Sequence, residues 1–231
     1  TNMKGFVKNG DNQINKLRGS VNLKTESVDT ELNNVSGNIV FNTKGGNIYI
    51  KKTNGTIRLN VISGNIDIMQ CEGNIFTSIE NGIAKLDKIK GEIKSVTTLG
   101  DTEISYFDGK QCSFDINVGN LIAKNCNSDF KVNIDIGDIT INDVKGNTTL
   151  FTGKVQINMT NIIGHTRCNS NFGNISGHNL FGSIIANSEL GDLIINKGYN
   201  SFLKDHNIDL SANRGSVSLW LTSDLPFFIK T

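Results

Sequence analysis

Proline is almost missing from this chain: of 231 residues, only Pro226 is one. That scarcity suits long strand ladders, in which every backbone N–H is needed. Tryptophan also occurs once, and aromatic residues make up 7% of the chain. Charge of either sign is not in excess, because 23 Lys and Arg face 22 Asp and Glu for a net +1. No global field therefore draws the chain to nucleic acid. No apolar run approaches the length of a membrane-spanning helix, and no signal-peptide pattern is visible. The chain opens on Thr1 and closes on Leu225-Pro226-Phe227-Phe228-Ile229, which leaves room for sequence beyond either end.

What is abundant is glycine in step. Gly37-Asn38-Ile39-Val40-Phe41 is echoed nine residues later by Gly46-Asn47-Ile48-Tyr49-Ile50, and again at Gly55, Gly64, Gly73, Gly82, Gly91, Gly100 and Gly109. The step reappears at Gly164, Gly173, Gly182 and Gly191. A fixed period of this kind determines architecture before any single residue is weighed. Within a unit, polar and apolar residues alternate, which is the pattern of a short half-buried strand. Glycine supplies the corner, since it takes positive φ without penalty. Asn or Asp after it favours the same turn.

Alternate units are not equivalent, so the true period is twice nine. The eighth position reads Leu17, Val35, Thr53, Cys71, Ile89 and Phe107 at steps of 18, then Cys126, Val144, Ile162 and Leu180 after one extra residue. The same position in the intervening units holds Glu26, Lys44, Glu80, Thr98, Asp135 and Glu189, with Ile62 and Ile116 as exceptions. One corner of each coil is thus buried and the opposite corner is wet. This predicts an all-β fold, a single-stranded parallel β-solenoid with 18 residues and two strands per coil. Roughly eleven coils at the ~4.8 Å strand spacing make a rod on the order of 50 Å long. Parallel crossovers favour the right hand. The inward ladders are Ile39, Leu59 and Ile93 on one sheet and Ile48, Ile66 and Ile139 on the other.

The whole chain, 1–231, reads as one domain, with a lead-in over 1–9, coils over 10–221 and a truncated segment over 222–231. Three places break the beat. Gly109 to Gly119 is ten residues, and Cys112, Phe114 and Ile116 take over the inward alternation there, which predicts a bulge. Gly146 to Gly153 is seven and Gly153 to Gly164 is eleven, so the sum returns to 18. Gly191 to Gly215 is 24, which makes 197–207 the one clear loop insertion.

The four cysteines form no CxxC pair. Cys71 and Cys126 share the buried corner but lie three coils apart, roughly 14 Å at the strand spacing, too far for a disulfide. Cys112 and Cys168 fall on inward positions. Buried free thiols lean toward a reducing compartment. The five Asn-x-Ser/Thr sites, at Asn34, Asn54, Asn147, Asn158 and Asn174, match chance for a chain this rich in Asn, Ser and Thr.

Chemistry is sparse. Calcium-binding rolls require an acid at a fixed place in each turn, which is missing. Hexapeptide solenoids have a period of six, and ice-binding ones carry a flat Thr ladder; neither is present. The outward row Glu31, Tyr49, Asp67, Lys85, Glu103, Ile122, Thr140 alternates in sign as a solvated face does. His165, His178 and His206 are scattered, with no metal-ligand spacing. No catalytic, cofactor-binding or metal-binding residue is assigned, and no cofactor is expected. The other sheet carries Arg58, Lys94, Lys131 and Arg167 on alternate coils, interleaved with Val40, Phe76, Thr149 and Ile185. Such a row can grip an acidic partner, and it is weighed against simple solubilising charge. The insertion adds Tyr199, Phe202, Lys204 and His206 on a loop, a usual place for function; the competing reading is a cap over an exposed strand edge.

The run Gly64-Asn65-Ile66-Asp67-Ile68-Met69-Gln70-Cys71-Glu72-Gly73-Asn74-Ile75 resembles the adhesin-type β-solenoid family, a domain of unknown function. Its members repeat Gly-Asp-Ile/Val-x-Ile/Val in the same two-beat fashion. The resemblance covers the chain from about Gly10 to Leu221. It implies a solenoid with no established catalytic residues, in settings that include bacterial surfaces and mitochondrial proteins. The present chain departs in using Asn where Asp is common and in its buried Cys. Residues and resemblance together lead us to expect a non-enzymatic scaffold. It would be a subunit or accessory factor of a larger assembly, binding a protein partner, in an intracellular or organellar (mitochondrial) setting. A cell-surface module binding glycan or protein is the alternative, and a polysaccharide-active enzyme the third; an anionic polymer or glycan is a further partner the basic row could take. Neither nucleic acid nor a membrane span is expected.

Overall fold

The computed structural model describes residues 2–224. Among them there is no helix, and the strands stack in parallel as a β-solenoid of about 11 turns. The first sheet begins with Met3–Val7, Val21–Thr25 and Ile39–Thr43, each paired with the strand 18 residues on. The second sheet begins with Gly10–Arg18, Val28–Ser36 and Ile48–Lys51 in the same relation. Residues 3–7, taken from the sequence as part of a lead-in, are therefore already a strand in register with the coils. The apolar stretch 225–229 lies outside the described residues.

Alternation places the core as the sequence predicts. Ile39, Ile57, Ile75 and Ile93 stack inward on the first sheet, and Ile48 and Ile66 on the second. Between the sheets the corner ladder Val35, Thr53, Cys71, Ile89, Phe107, Cys126, Val144, Ile162 and Leu180 is buried throughout. Two of its polar members meet across the coils, the Thr53 hydroxyl donating to Cys71 Sγ at 2.9 Å, and that thiol donates within its own coil to the Met69 carbonyl at 3.3 Å. All four cysteines are free and buried.

This corner turns on a feature that the sequence reading missed. The residue just before each buried corner is left-handed: Lys16, Asn34, Lys52, Gln70, Lys88, Tyr106, Asn125, Asp143, Asn161 and Asn179 all have φ between 50° and 57°. Half of these ten are Asn or Asp, the non-glycine residues that tolerate this conformation best. That enrichment was the available signal. Where amides follow one another they also ladder, Asn179 Nδ2 donating to Asn161 Oδ1 at 2.9 Å and Asn161 Nδ2 to Asp143 Oδ1 at 2.8 Å.

The three irregularities resolve differently. Register slips between Gly91 and Ile93 on one side and Asp108 and Gln111 on the other, so the extra residue is a bulge around Lys110. The slip moves Ile116 to a buried inward place, level with Thr97, and leaves Asn117 at the wet corner instead. Gly153 is not a displaced corner: Val155 stands level with Gly137, inside a strand that runs unbroken from Thr148–Ile163. The insertion begins one residue later than the sequence indicates, because Lys197 closes the strand Leu193–Lys197 and pairs with Leu180.

Candidate binding face and C-terminal loop

The outward row of the first sheet is one continuous file. Val40, Arg58, Phe76, Lys94, Ser113, Lys131, Thr149, Arg167 and Ile185 are partners in successive coils. The bulge near Lys110 makes this possible, since it absorbs the extra residue before Ser113 and keeps Lys131 above Lys94. The four cations stand two coils apart, about 9.6 Å, far enough to avoid like-charge contact. Arg58 lies over the Phe76 ring, 4.8 Å from its centroid, a cation–π contact that holds the guanidinium against the sheet. Around this pair a shallow apolar groove of about 380 Å³ opens, lined by Val40, Arg58, Phe76, Lys94 and Val96.

Beside the cations runs a second outward file of short polar residues. Asn42, Asn60 and Ser78 lead to Val96, Asp115 and Asn133, and beyond Phe151 come Asn169, Asn187 and Ser211. Asn187 Nδ2 donates to Asn169 Oδ1 at 2.9 Å, and Asn133 donates to Asp115. The basic face thus carries spaced cations in one file and recurring Asn residues in the file beside it.

The second sheet offers a different surface. Its file reads Gln13, Glu31, Tyr49, Asp67, Lys85 and Glu103. Gln13 Nε2 donates to Glu31 Oε2 at 3.1 Å. Burial pushes the Asp67 carboxyl up, Lys85 pulls it back and Asp87 adds to the rise. Tyr49 separates Asp67 from Glu31, so the two acids are two coils apart. Among the described residues no group of three or more His, Cys, Asp or Glu is arranged to hold a metal.

The loop after the second sheet's Leu193–Lys197 returns the chain to the first sheet at Ile208–Arg214. It is held from within by Lys197, which takes the next place in the buried corner after Leu180 and is itself fully buried. Its Nζ donates to the carbonyls of Phe181 at 2.7 Å and Gly198 at 2.9 Å, and meets His206 Nδ1 at 3.4 Å. Burial lowers its pKa to about 8, against a smaller upward pull from Asp205. Tyr199 packs on the His206 ring at 5.0 Å between centroids. Two short bonds tighten the tip, Phe202 N–H to Asn200 Oδ1 and Asn207 N–H to Asp205 Oδ1. Phe202 projects from that tip, 93% exposed.

The candidate residues thus form two sites. Arg58, Phe76 and Lys94 share one groove, with Lys131 and Arg167 further along the same file. Tyr199, Phe202, Lys204 and His206 belong to the loop, which enters the first sheet next to Asp209. Arg58 and Asp209 are eight coil steps apart in that file, about 38 Å. Arg167, two steps from Asp209, is the cation nearest the loop. Among the described residues no helix is long and apolar enough to cross a membrane.

The class defined by this architecture is a parallel β-solenoid with one basic face. Comparison with protein-family models, with curated proteins and with solved structures finds no match to the chain. The likeness to adhesin-type solenoids therefore stands on the repeat motif alone.

Proposed function

We propose that this protein is a non-enzymatic binding scaffold, and that its basic face docks an acidic protein partner. The observation that carries this reading is the file of Arg58, Lys94, Lys131 and Arg167, kept in line because the bulge near Lys110 absorbs an extra residue that would otherwise have broken it. Apolar contact in the groove at Val40, Phe76 and Val96 gives an extended acidic segment something to bury between its charges. None of the four cations takes part in an ion pair among the described residues, so their fields point outward. Interfaces of this type gain speed and specificity from charge and affinity from a few buried anchors. Phe202, on the loop that leads into the same sheet, fits the role of a second anchor.

A glycan-binding module is the second reading, favoured by the Asn file beside the cations, whose amides match sugar hydroxyls. Fluorescence anisotropy with a labelled peptide of alternating Glu and Phe, run against heparin as competitor, separates the two. The protein reading predicts salt-sensitive peptide binding that is lost in the triple variant Arg58→Glu, Lys94→Glu, Lys131→Glu. Unchanged binding in that variant overturns the assignment of the face. Tight heparin binding with no peptide binding replaces the first reading with the second.

A further inference from the structure

A third surface belongs to neither site. The residue immediately before the wet-corner glycine, or before Val155 in the one coil where valine takes its place, forms its own file: Leu99, Val118, Ile136, Lys154, Phe172 and Leu190 are partners in successive coils. Leu99 is 49% exposed, Ile136 51% and Phe172 50%. Single exposed apolar residues are ordinary, but a file made mostly of them is the mark of an interface. This strip is five coil steps long, about 24 Å, and is interrupted only by Lys154 near its middle. It is bounded by Asn81 below Leu99 and by Arg214 above Leu190.

The order of residues along the strip is self-complementary. Two strips laid antiparallel, with the two-fold axis between Ile136 and Lys154, set Leu99 against Leu190 and Val118 against Phe172. Lys154 then meets Ile136 of the other copy, whose neighbour in sequence is Asp135. Arg214 meets Asn81, whose neighbour is Glu80. Both cations of the file thus fall opposite a coil that carries a carboxylate. The side chains of Lys154, Arg214, Asp135 and Glu80 take part in no ion pair or side-chain hydrogen bond among the described residues. A parallel arrangement would instead stack Lys154 on Lys154 and Arg214 on Arg214.

We propose that this corner strip is the interface of an antiparallel, two-fold dimer of the chain. An isologous contact uses the same patch twice and closes on itself, as this order of residues allows. The strip is narrow, so the contact belongs with weak interfaces rather than obligate ones. It leaves the basic face free, and the two proposals stand or fall separately.

Sedimentation equilibrium over a wide concentration range tests it. The wild-type chain should show a reversible monomer–dimer equilibrium. Ile136→Lys, which sets a second cation against Lys154 of the other copy, should weaken association at least tenfold. Lys154→Glu and Asp135→Lys should each weaken it, and the double variant should recover most of the loss. A mixture of Leu99→Cys and Leu190→Cys chains should yield a disulfide-linked heterodimer that neither chain forms alone. A monomer at every concentration overturns the proposal. So does a dimer unmoved by Ile136→Lys, a double variant no better than the single ones, or crosslinking of Leu99→Cys with itself. All these positions are at the surface, and a native β-sheet circular dichroism spectrum confirms that each variant folds.

Discussion

Gly64 lies directly on the carbonyl of Gly46, so closely that a Cβ on Gly64 would overlap that oxygen. The relation recurs along both glycine corners, Gly55 on Gly37 and Gly82 on Gly64 among them. Glycine is required here first by the coil beneath and only second by its φ of 143°. Gly64→Ala should therefore cost at least about 4 kcal/mol, the range of severe core defects. Gly10 provides the control, since its φ is 105° but nothing lies within 4 Å of its added Cβ. Gly10→Ala should cost only backbone strain, about 1–3 kcal/mol. Chemical denaturation of the two variants checks the difference.

The Asn after the glycine works between coils as well. Asn47 Oδ1 accepts the N–H of Asn65 at 3.0 Å, and Asn65 Oδ1 accepts that of Ile83 at 3.0 Å. Asp101, Asn120 and Asp138 continue the pattern further up the rod. Asn65→Ala should cost about 1 kcal/mol, one exposed hydrogen bond. Asn65→Asp keeps the acceptor and should be nearly neutral. Thermal melts of the pair give the answer.

Lys197 gives stability an unusual pH dependence. Its pKa is about 8 in the fold and about 10.4 in an unfolded chain. Between these values the unfolded state holds the proton and the folded state does not, so stability rises with pH. The favourable contribution is complete above the unfolded value and is lost as pH falls through about 8. The melting temperature should climb between about pH 8 and 10. Lys197→Met, which continues the apolar corner above Leu180, should flatten that slope.

The thiols should be inert. Burial pushes Cys126 up to about 11 and Cys168 to about 12, and raises Cys71 and Cys112 as well. The thiolate is the reactive form. A thiol reagent at pH 8 should label none of the four in the native protein and all four in guanidinium. Rapid native labelling would place at least one of them at the surface.

Much of this was legible in the chain. The spacing from Val35 to Leu180 identified the buried corner, and the fourth residue of alternate units located Arg58, Lys94, Lys131 and Arg167. What the beat concealed lay at positions whose role is set by a neighbour 18 residues away. The left-handed row through Asn34 and Asn161 was hidden because only half its members are Asn or Asp. Ile116 fits two readings in the sequence, an exception in the wet row and an inward residue after the bulge, and the register across the coils decides for the second. Lys197 looked like a loop residue, since a lysine at the end of a strand is normally solvated.

The sequence by itself determined the repeat, the two kinds of corner and the direction of each strand residue. Those follow from period-two alternation and from the conformations glycine alone accepts, both local properties of the chain. Tertiary structure decided what stands against what. Gly64 forbids a Cβ because Gly46 is beneath it, Asn65 serves the coil above, Lys197 is buried by Phe181 and its own loop, and Leu99 to Leu190 become a strip. These facts exist only once the coils close, because stacking brings residues 18 apart to within about 4.8 Å of one another.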